Sequence, residues 1–301
     1  GLGIKTIKVA CVIEALDWTA DLRKAIDAVG PLFFGPFQSE IVSIVDTHLY
    51  YGVSPLTTDF TPILADMEEK GAQLIFEVFS GEEGLAFIKQ LKDLSGSGPG
   101  KLKAVPVGIN VLSQMSEMWG WTAGGCEYEA FLATMGTKTP IVPGVTDKFW
   151  DDYTTRWGHA PIYTAFGTYE GLHAIADTIK NAASEHPELK DPAEWENLYD
   201  SRELYDILIP YMEASDREGV LGRSKFTGTH DIFTGGWLAA RYGVEEYVKP
   251  LAVQWQGGEM VAVSAGNGSH VYKDPVTGDL VTGWAPYVEE FQIPPWMLPP
   301  G

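Results

Sequence analysis

The chain has 301 residues, 45% of them hydrophobic and 21% charged, an ordinary globular composition long enough for two domains. Acids outnumber bases 41 to 21, for a net charge of −20. That balance excludes nucleic acid phosphates and anionic lipid surfaces as partners, because both would repel it. No apolar run approaches the roughly 18 residues that a membrane span requires.

The first half alternates strand and helix signals. Residues 7–13 (IKVACVI) form a continuous apolar run of the kind buried in a parallel sheet. Thr19 offers an N-cap, and Leu22, Ala25, Ile26 and Val29 recur at helical spacing up to Gly30. A loop over 31–37 leads to a second strand at 41–45. A helix over 63–70 stops at Gly71, where a C′ glycine belongs. A third strand is expected over 74–79, a helix over 82–94, a Gly/Ser loop over 95–100 and a fourth strand over 104–109. Strands interleaved with helices in this way predict an α/β fold with doubly wound, Rossmann-like sheets.

From Pro140 the texture changes. Residues 149–157, 163–183 and 192–214 read as three helices without intervening strands, and the acids over 184–218 read as a solvated helix face. Strands return over 251–255 and 260–264 around Gly257-Gly258, a hairpin signal, and a second hairpin is expected around 274–279. The proline-rich end, 293–300, reads as extended.

No catalytic constellation is present. In the stretch Gly96–Lys101 the residue after the Gly-Lys pair is Leu102, where a phosphate loop needs Ser or Thr for magnesium. The six histidines never fall three to five residues apart, and no Gly-x-Ser-x-Gly elbow occurs. Glu82-Glu83 opens a helix, where the macrodipole favours acids. Without a Cys-x-x-Cys pair a zinc knuckle is not expected. Cys11 reads as a buried free thiol, and a Cys11–Cys126 disulfide stays open. Asn267-Gly268-Ser269 matches both a glycosylation sequon and a turn. Neither catalysis, nor a metal, nor a cofactor is expected.

Several segments carry a resemblance. Lys8-Val9-Ala10-Cys11-Val12-Ile13-Glu14, with Trp18 beyond it, is similar to the strand and turn that open the second lobe of one family. That family is the branched-chain amino acid type of solute-binding protein, the type I periplasmic binding proteins that feed ABC importers. Thr57-Thr58-Asp59-Phe60-Thr61-Pro62-Ile63-Leu64 resembles its Asp-Phe element, and residues 149–161 (FWDDYTTRWGHAP) its Phe-x3-Tyr-x3-aromatic-Gly-x2-Pro segment. Tyr169-Glu170-Gly171-Leu172-His173-Ala174 stands in place of its Tyr-Asp-Ala helix. Gly228-Thr229-His230-Asp231 and Val253-Gln254-Trp255-Gln256-Gly257-Gly258 match its closing strands, so the likeness runs to about Ser264.

The resemblance implies a two-lobe hinge fold, with residues 1–140 and 245–301 as the second lobe and 141–244 as the helical part of the first. It implies an extracytoplasmic binder of a small organic molecule, held in the cleft between the lobes and delivered to an ABC permease. The location is periplasmic or extracellular, with or without a membrane anchor. The ligand-binding positions carried over are Trp18, Phe79, Ser80 and Asn110. Asn110 stands where amino-acid binders hold a carboxylate for the ligand's ammonium, and an amide pairs less well with that charge. A neutral or carboxylate-bearing ligand with an apolar or aromatic body is therefore expected. The first lobe's sheet would be built mainly by residues upstream of Gly1, so an N-terminal fragment, or a second copy of the chain, is expected to cover the helices of 141–244. An extracellular assembly protein, a sensor ectodomain and an enzyme on the same fold are the competing readings.

Overall fold

The apolar run near the start of the chain folds as a fully buried strand, and the larger of the chain's two units is built around it. The computed structural model describes residues 6–29, 43–44, 49–133, 142, 144–226, 251–264, 270–273, 280–283 and 289–298. Unit 1 comprises Gly1–Leu132, Ala252–Val263 and Glu289–Gly301; unit 2 comprises Ala133–Leu251 and Ser264–Val288.

The elements run β1 (Thr6–Ile7), β2 (Val9–Glu14), α1 (Ala20–Val29), β3 (Ser43–Ile44), β4 (Leu49–Val53), α2 (Thr61–Lys70), β5 (Leu74–Phe79) and α3 (Glu82–Leu94). After these come β6 (Val105–Asn110), α4 (Met118–Trp121), β7 (Ala130–Ala133), α5 (Thr146–Trp157), α6 (Tyr163–Glu185), α7 (Pro192–Asp200) and α8 (Glu203–Glu213). Strands close the chain: β8 (Asp216–Gly219), β9 (Gly222–Lys225), β10 (Leu251–Gln256), β11 (Glu259–Ser264), β12 (His270–Lys273), β13 (Leu280–Gly283) and β14 (Glu289–Glu290).

The main sheet has eight strands in the order β14-β11-β10-β7-β6-β5-β2-β4. The pairs β2–β4, β2–β5, β5–β6 and β6–β7 are parallel, and β10–β11 is an antiparallel hairpin. Because side chains alternate across a strand, each face has its own core. On one face Val9, Cys11 and Ile13 of β2 and Val78 of β5 meet Ile26 of α1. On the other, Phe79 of β5 packs against Phe60 and Phe87, with ring centroids 6.0 and 5.3 Å away. Cys11 and Cys126 are both free and buried. As expected, α2 ends at Gly71, which takes a left-handed conformation (φ 71°) and returns its amide to Glu68.

Three expectations are corrected. Of the strand expected at 41–45 only 43–44 are described, as β3, which pairs with β1; the neighbour of β2 in the main sheet is β4, where no element was expected from the sequence. β7 and the antiparallel pair β8–β9 are additional strands. The single helix expected over 192–214 is two, broken at Ser201-Arg202, where Arg202 has φ 66°. Leu198 and Leu204 would lie about 120° apart around one continuous helix. The break lets both join Ala182 and Leu189 in one buried cluster of unit 2. The turn of the expected second hairpin lies outside the described residues, as do 228–231; its flanking strands β12 and β13 do pair antiparallel.

In unit 2, α6 buries Phe166, whose ring lies 4.8 Å from that of Phe149 of α5. Arg217 and the amide of Val220 both bond to the Glu170 carboxylate, which ties α6 to the β8–β9 hairpin. Along another side of α6, Leu172 and Ile175 are 63% and 49% exposed.

Candidate functional site

In chain order the five parallel strands lie 2-1-3-4-5 across the sheet. The order reverses between β2 and β5, so the loops leaving their carboxyl ends run to opposite faces, the place where open α/β sheets bind ligands. Four residues meet there: Glu14 at the end of β2, Trp18 in the turn after it, Ser80 at the end of β5, and Glu83 in the first turn of α3.

Glu14 is fully buried and organises the edge. One carboxylate oxygen accepts the indole N–H of Trp18; the other accepts the Ser80 amide at 3.0 Å and the Ser80 hydroxyl at 2.9 Å. The intervening turn is closed by Thr19, whose hydroxyl donates to the carbonyls of Glu14 and Leu16 at 2.6 and 2.9 Å instead of capping α1. As a result Trp18 is anchored through its nitrogen and remains 52% exposed.

Burial by itself would raise the Glu14 pKa, but hydrogen bonds from Glu83, Ser80 and Trp18 outweigh it and hold the carboxyl below its usual range. Glu83 is only 3% exposed and moves the other way. Burial first, and then its hydrogen bond to Glu14, push its pKa up to about 7. Below that pH a carboxylic acid at Glu83 donates to a carboxylate at Glu14. The Gly81 amide donates back to Glu83 at 3.2 Å.

A second acid pair lies deeper. Glu129, just before β7, is fully buried and accepts from Asn110 Nδ2 at 3.1 Å and from the Ser113 hydroxyl. Burial is the main cause that raises its pKa to about 7. Glu77, in mid-β5, is also fully buried, and its carboxyl shares a hydrogen bond with that of Glu129. Burial and the neighbouring Glu129 charge raise its pKa well above the usual range.

Trp18 and Ser80 thus share one edge, joined through Glu14. Phe79 and Asn110 sit inward of it. Phe79 is fully buried between Phe60 and Phe87, so in this conformation its ring offers no surface to a ligand. Asn110 pairs in register with Phe79 and is likewise fully buried, its amide nitrogen donating to Glu129 and its Oδ1 without a hydrogen-bond partner. Sequence reasoning passed over Glu14, Glu77 and Glu129 as site residues and read Glu83 as a helix-opening acid. Two of them had a visible signal: Glu77 interrupts an apolar run at an inward position of its strand, and Glu14 ends another. Of the acids that open α3, Glu82 is exposed, as the helix-dipole reading expects, whereas Glu83 turns inward to Glu14. Among the described residues no group of three or more His, Cys, Asp or Glu is placed to hold a metal ion.

The architecture is that of the type I periplasmic solute-binding proteins of ABC transporters. A putative branched-chain amino acid ABC transporter protein from Silicibacter pomeroyi superposes with TM-score 0.61 at 15% identity, over 96% of this chain and 62% of that one. A solute-binding protein of an R. palustris ABC transporter, solved with benzoate, gives 0.58 at 13% identity, over 85% and 57%. A branched-chain amino acid substrate-binding protein from Streptococcus pneumoniae, solved with isoleucine, gives 0.57 at 17% identity, over 84% and 58%. The likeness is one of fold, and this chain spans about three fifths of the length of these proteins. These neighbours are binding proteins rather than enzymes. No protein-family profile and no curated protein matches the chain. Among the described residues no helix is long and apolar enough to cross a membrane.

Proposed function

We propose that this chain is an extracytoplasmic, non-enzymatic solute-binding subunit of an ABC importer, passing a small organic ligand to a membrane permease. The ligand has an apolar or aromatic body and is neutral or carries a carboxylate. It rests on the exposed face of Trp18, and a ligand hydroxyl, where there is one, donates to the Ser80 oxygen. The observation that carries this reading is the state of Glu14: its carboxylate is saturated by Trp18, Ser80 and Glu83, so it has no lone pair to give a ligand's ammonium. Asn110, which the resemblance puts in that role, is a neutral amide and is fully buried. The solved neighbours that hold benzoate, 4-hydroxybenzoate and 3,4-dihydroxybenzoic acid support the aromatic class.

Calorimetric titration with benzoate, 4-hydroxybenzoate, leucine and isoleucine tests it. Binding of an aromatic acid, weakened at least tenfold by Trp18→Ala, is expected. Binding of leucine or isoleucine alone would overturn the assignment. A second reading, an assembly protein or sensor ectodomain on the same fold, draws on the exposed Leu172 and Ile175 of α6. Self-association in sedimentation, with no ligand bound from the panel, would favour it.

A further inference from the structure

The geometry points to Glu83 as a positioning residue for this edge: its carboxylic acid proton, donated to Glu14, holds the carboxylate that fixes both the Trp18 indole and the Ser80 hydroxyl, and ligand binding is lost when that proton leaves. The inference rests on the proposed binding role of Trp18 and Ser80, but its first test does not.

Three features of the edge lead to it. Glu14 and Glu83 are both inaccessible to solvent or nearly so, which makes two adjacent charges there unfavourable. All the groups that present Trp18 and Ser80 to solvent converge on the two oxygens of Glu14. Among the described residues no cation stands against Glu83 to replace the proton. Glu14 is the charged group that faces it from β2; the turn after β5 contributes the Ser80 hydroxyl and amide and the Gly81 amide. On its own helix, Glu82 is directed to solvent. From β6, the uncharged Asn110 abuts Gly84, where an added β-carbon would stand 3.0 Å from the Asn110 amide carbon and nitrogen. Loss of the Glu83 proton leaves two carboxylates in contact. Glu14 must then move toward water or take a proton itself, and either change releases donors on which Trp18 and Ser80 depend.

The test follows the Trp18 indole N–H resonance, assigned by Trp18→Phe, from pH 5.5 to 8.5 in the ligand-free protein. The resonance is expected to titrate with a midpoint near 7 in the unmodified protein and to stay at its low-pH position in Glu83→Gln, which keeps a donor but cannot ionise. Glu14→Gln, made separately, should also abolish the titration. A Trp18 resonance that is flat in the unmodified protein, or that titrates unchanged in Glu83→Gln, overturns the proposal. So does a titration that disappears in Glu129→Gln but not in Glu83→Gln, because the deeper pair would then be its source. With benzoate as probe, affinity should fall about tenfold per pH unit above the midpoint, as the competent fraction falls, and become pH-independent in Glu83→Gln. If benzoate fails to bind at any pH while the Trp18 titration behaves as stated, the functional reading fails and the proton link stands.

Discussion

Ser80 donates both its amide and its hydroxyl to the same oxygen of Glu14, at 3.0 and 2.9 Å. Two neighbouring parallel strands are thereby tied together beyond the last rung of their ladder, at the point where the strand order reverses. Ser80→Ala removes one of these bonds and should cost about 1 kcal/mol in urea unfolding. Glu14→Ala strands the Ser80 and Trp18 donors together and should cost about 3 kcal/mol.

The buried acids make stability depend on pH in a definite direction. Glu83, Glu77 and Glu129 have folded-state pKa values above their unfolded ones, so between about 4.5 and 7 the folded chain holds more protons than the unfolded chain. Stability should therefore fall as pH rises through that window, by at most about 1.4 kcal/mol per pH unit for each extra proton. Glu14 has the opposite shift, and its contribution is lost only as pH drops below the ordinary carboxylate range. Thermal denaturation across pH 4–8 should show a maximum on the acid side of neutrality, and Glu129→Gln should flatten the decline above it.

Two glycines should respond very differently to alanine. Gly71 sits at φ 71° with room around it, the nearest atom to an added β-carbon being Lys8 Nζ at 3.8 Å. Gly71→Ala should cost about 1 kcal/mol, the backbone penalty alone. At Gly108 the same β-carbon would collide with the Glu77 carbonyl oxygen and stand 2.9 Å from its carbon, so β5 and β6 must separate. Gly108→Ala should cost well over 3 kcal/mol or prevent folding, as read by circular dichroism and yield.

The sides of α6 should differ as sharply. Phe166 is fully buried against Phe149, and Phe166→Ala should cost about 4 kcal/mol in chemical denaturation. Leu172 is 63% exposed, and Leu172→Ala should change stability by less than about 0.5 kcal/mol.

Periodicity and punctuation made much of unit 1 legible. The apolar run ending at Ile13, the run over 74–79 and the Gly71 stop lie where their spacing placed them, because each is a local signal: burial on both faces, a strand of ordinary length, a left-handed cap. β4 escaped notice because a short aromatic run with a glycine reads equally well as a loop until a neighbouring strand pairs with it. The break between α7 and α8 was hidden for a related reason: helical propensity persists through Ser201-Arg202, and only the shared apolar surface of Ala182 and Leu189 rewards turning both leucines the same way.

The sequence by itself determined an acidic α/β chain with interleaved strands and helices, and placed Trp18 and Ser80 at strand ends. Only the tertiary structure decided what those residues touch. Glu14 and Ser80 are 66 positions apart in the chain, and Asn110 and Glu129 are 19 apart. Hydrogen-bonding partners so far separated are chosen by sheet register and helix packing, which local residue patterns do not encode. The same packing removes water from four glutamates that composition alone would leave as ordinary surface charge, and that desolvation sets which of them keep their protons.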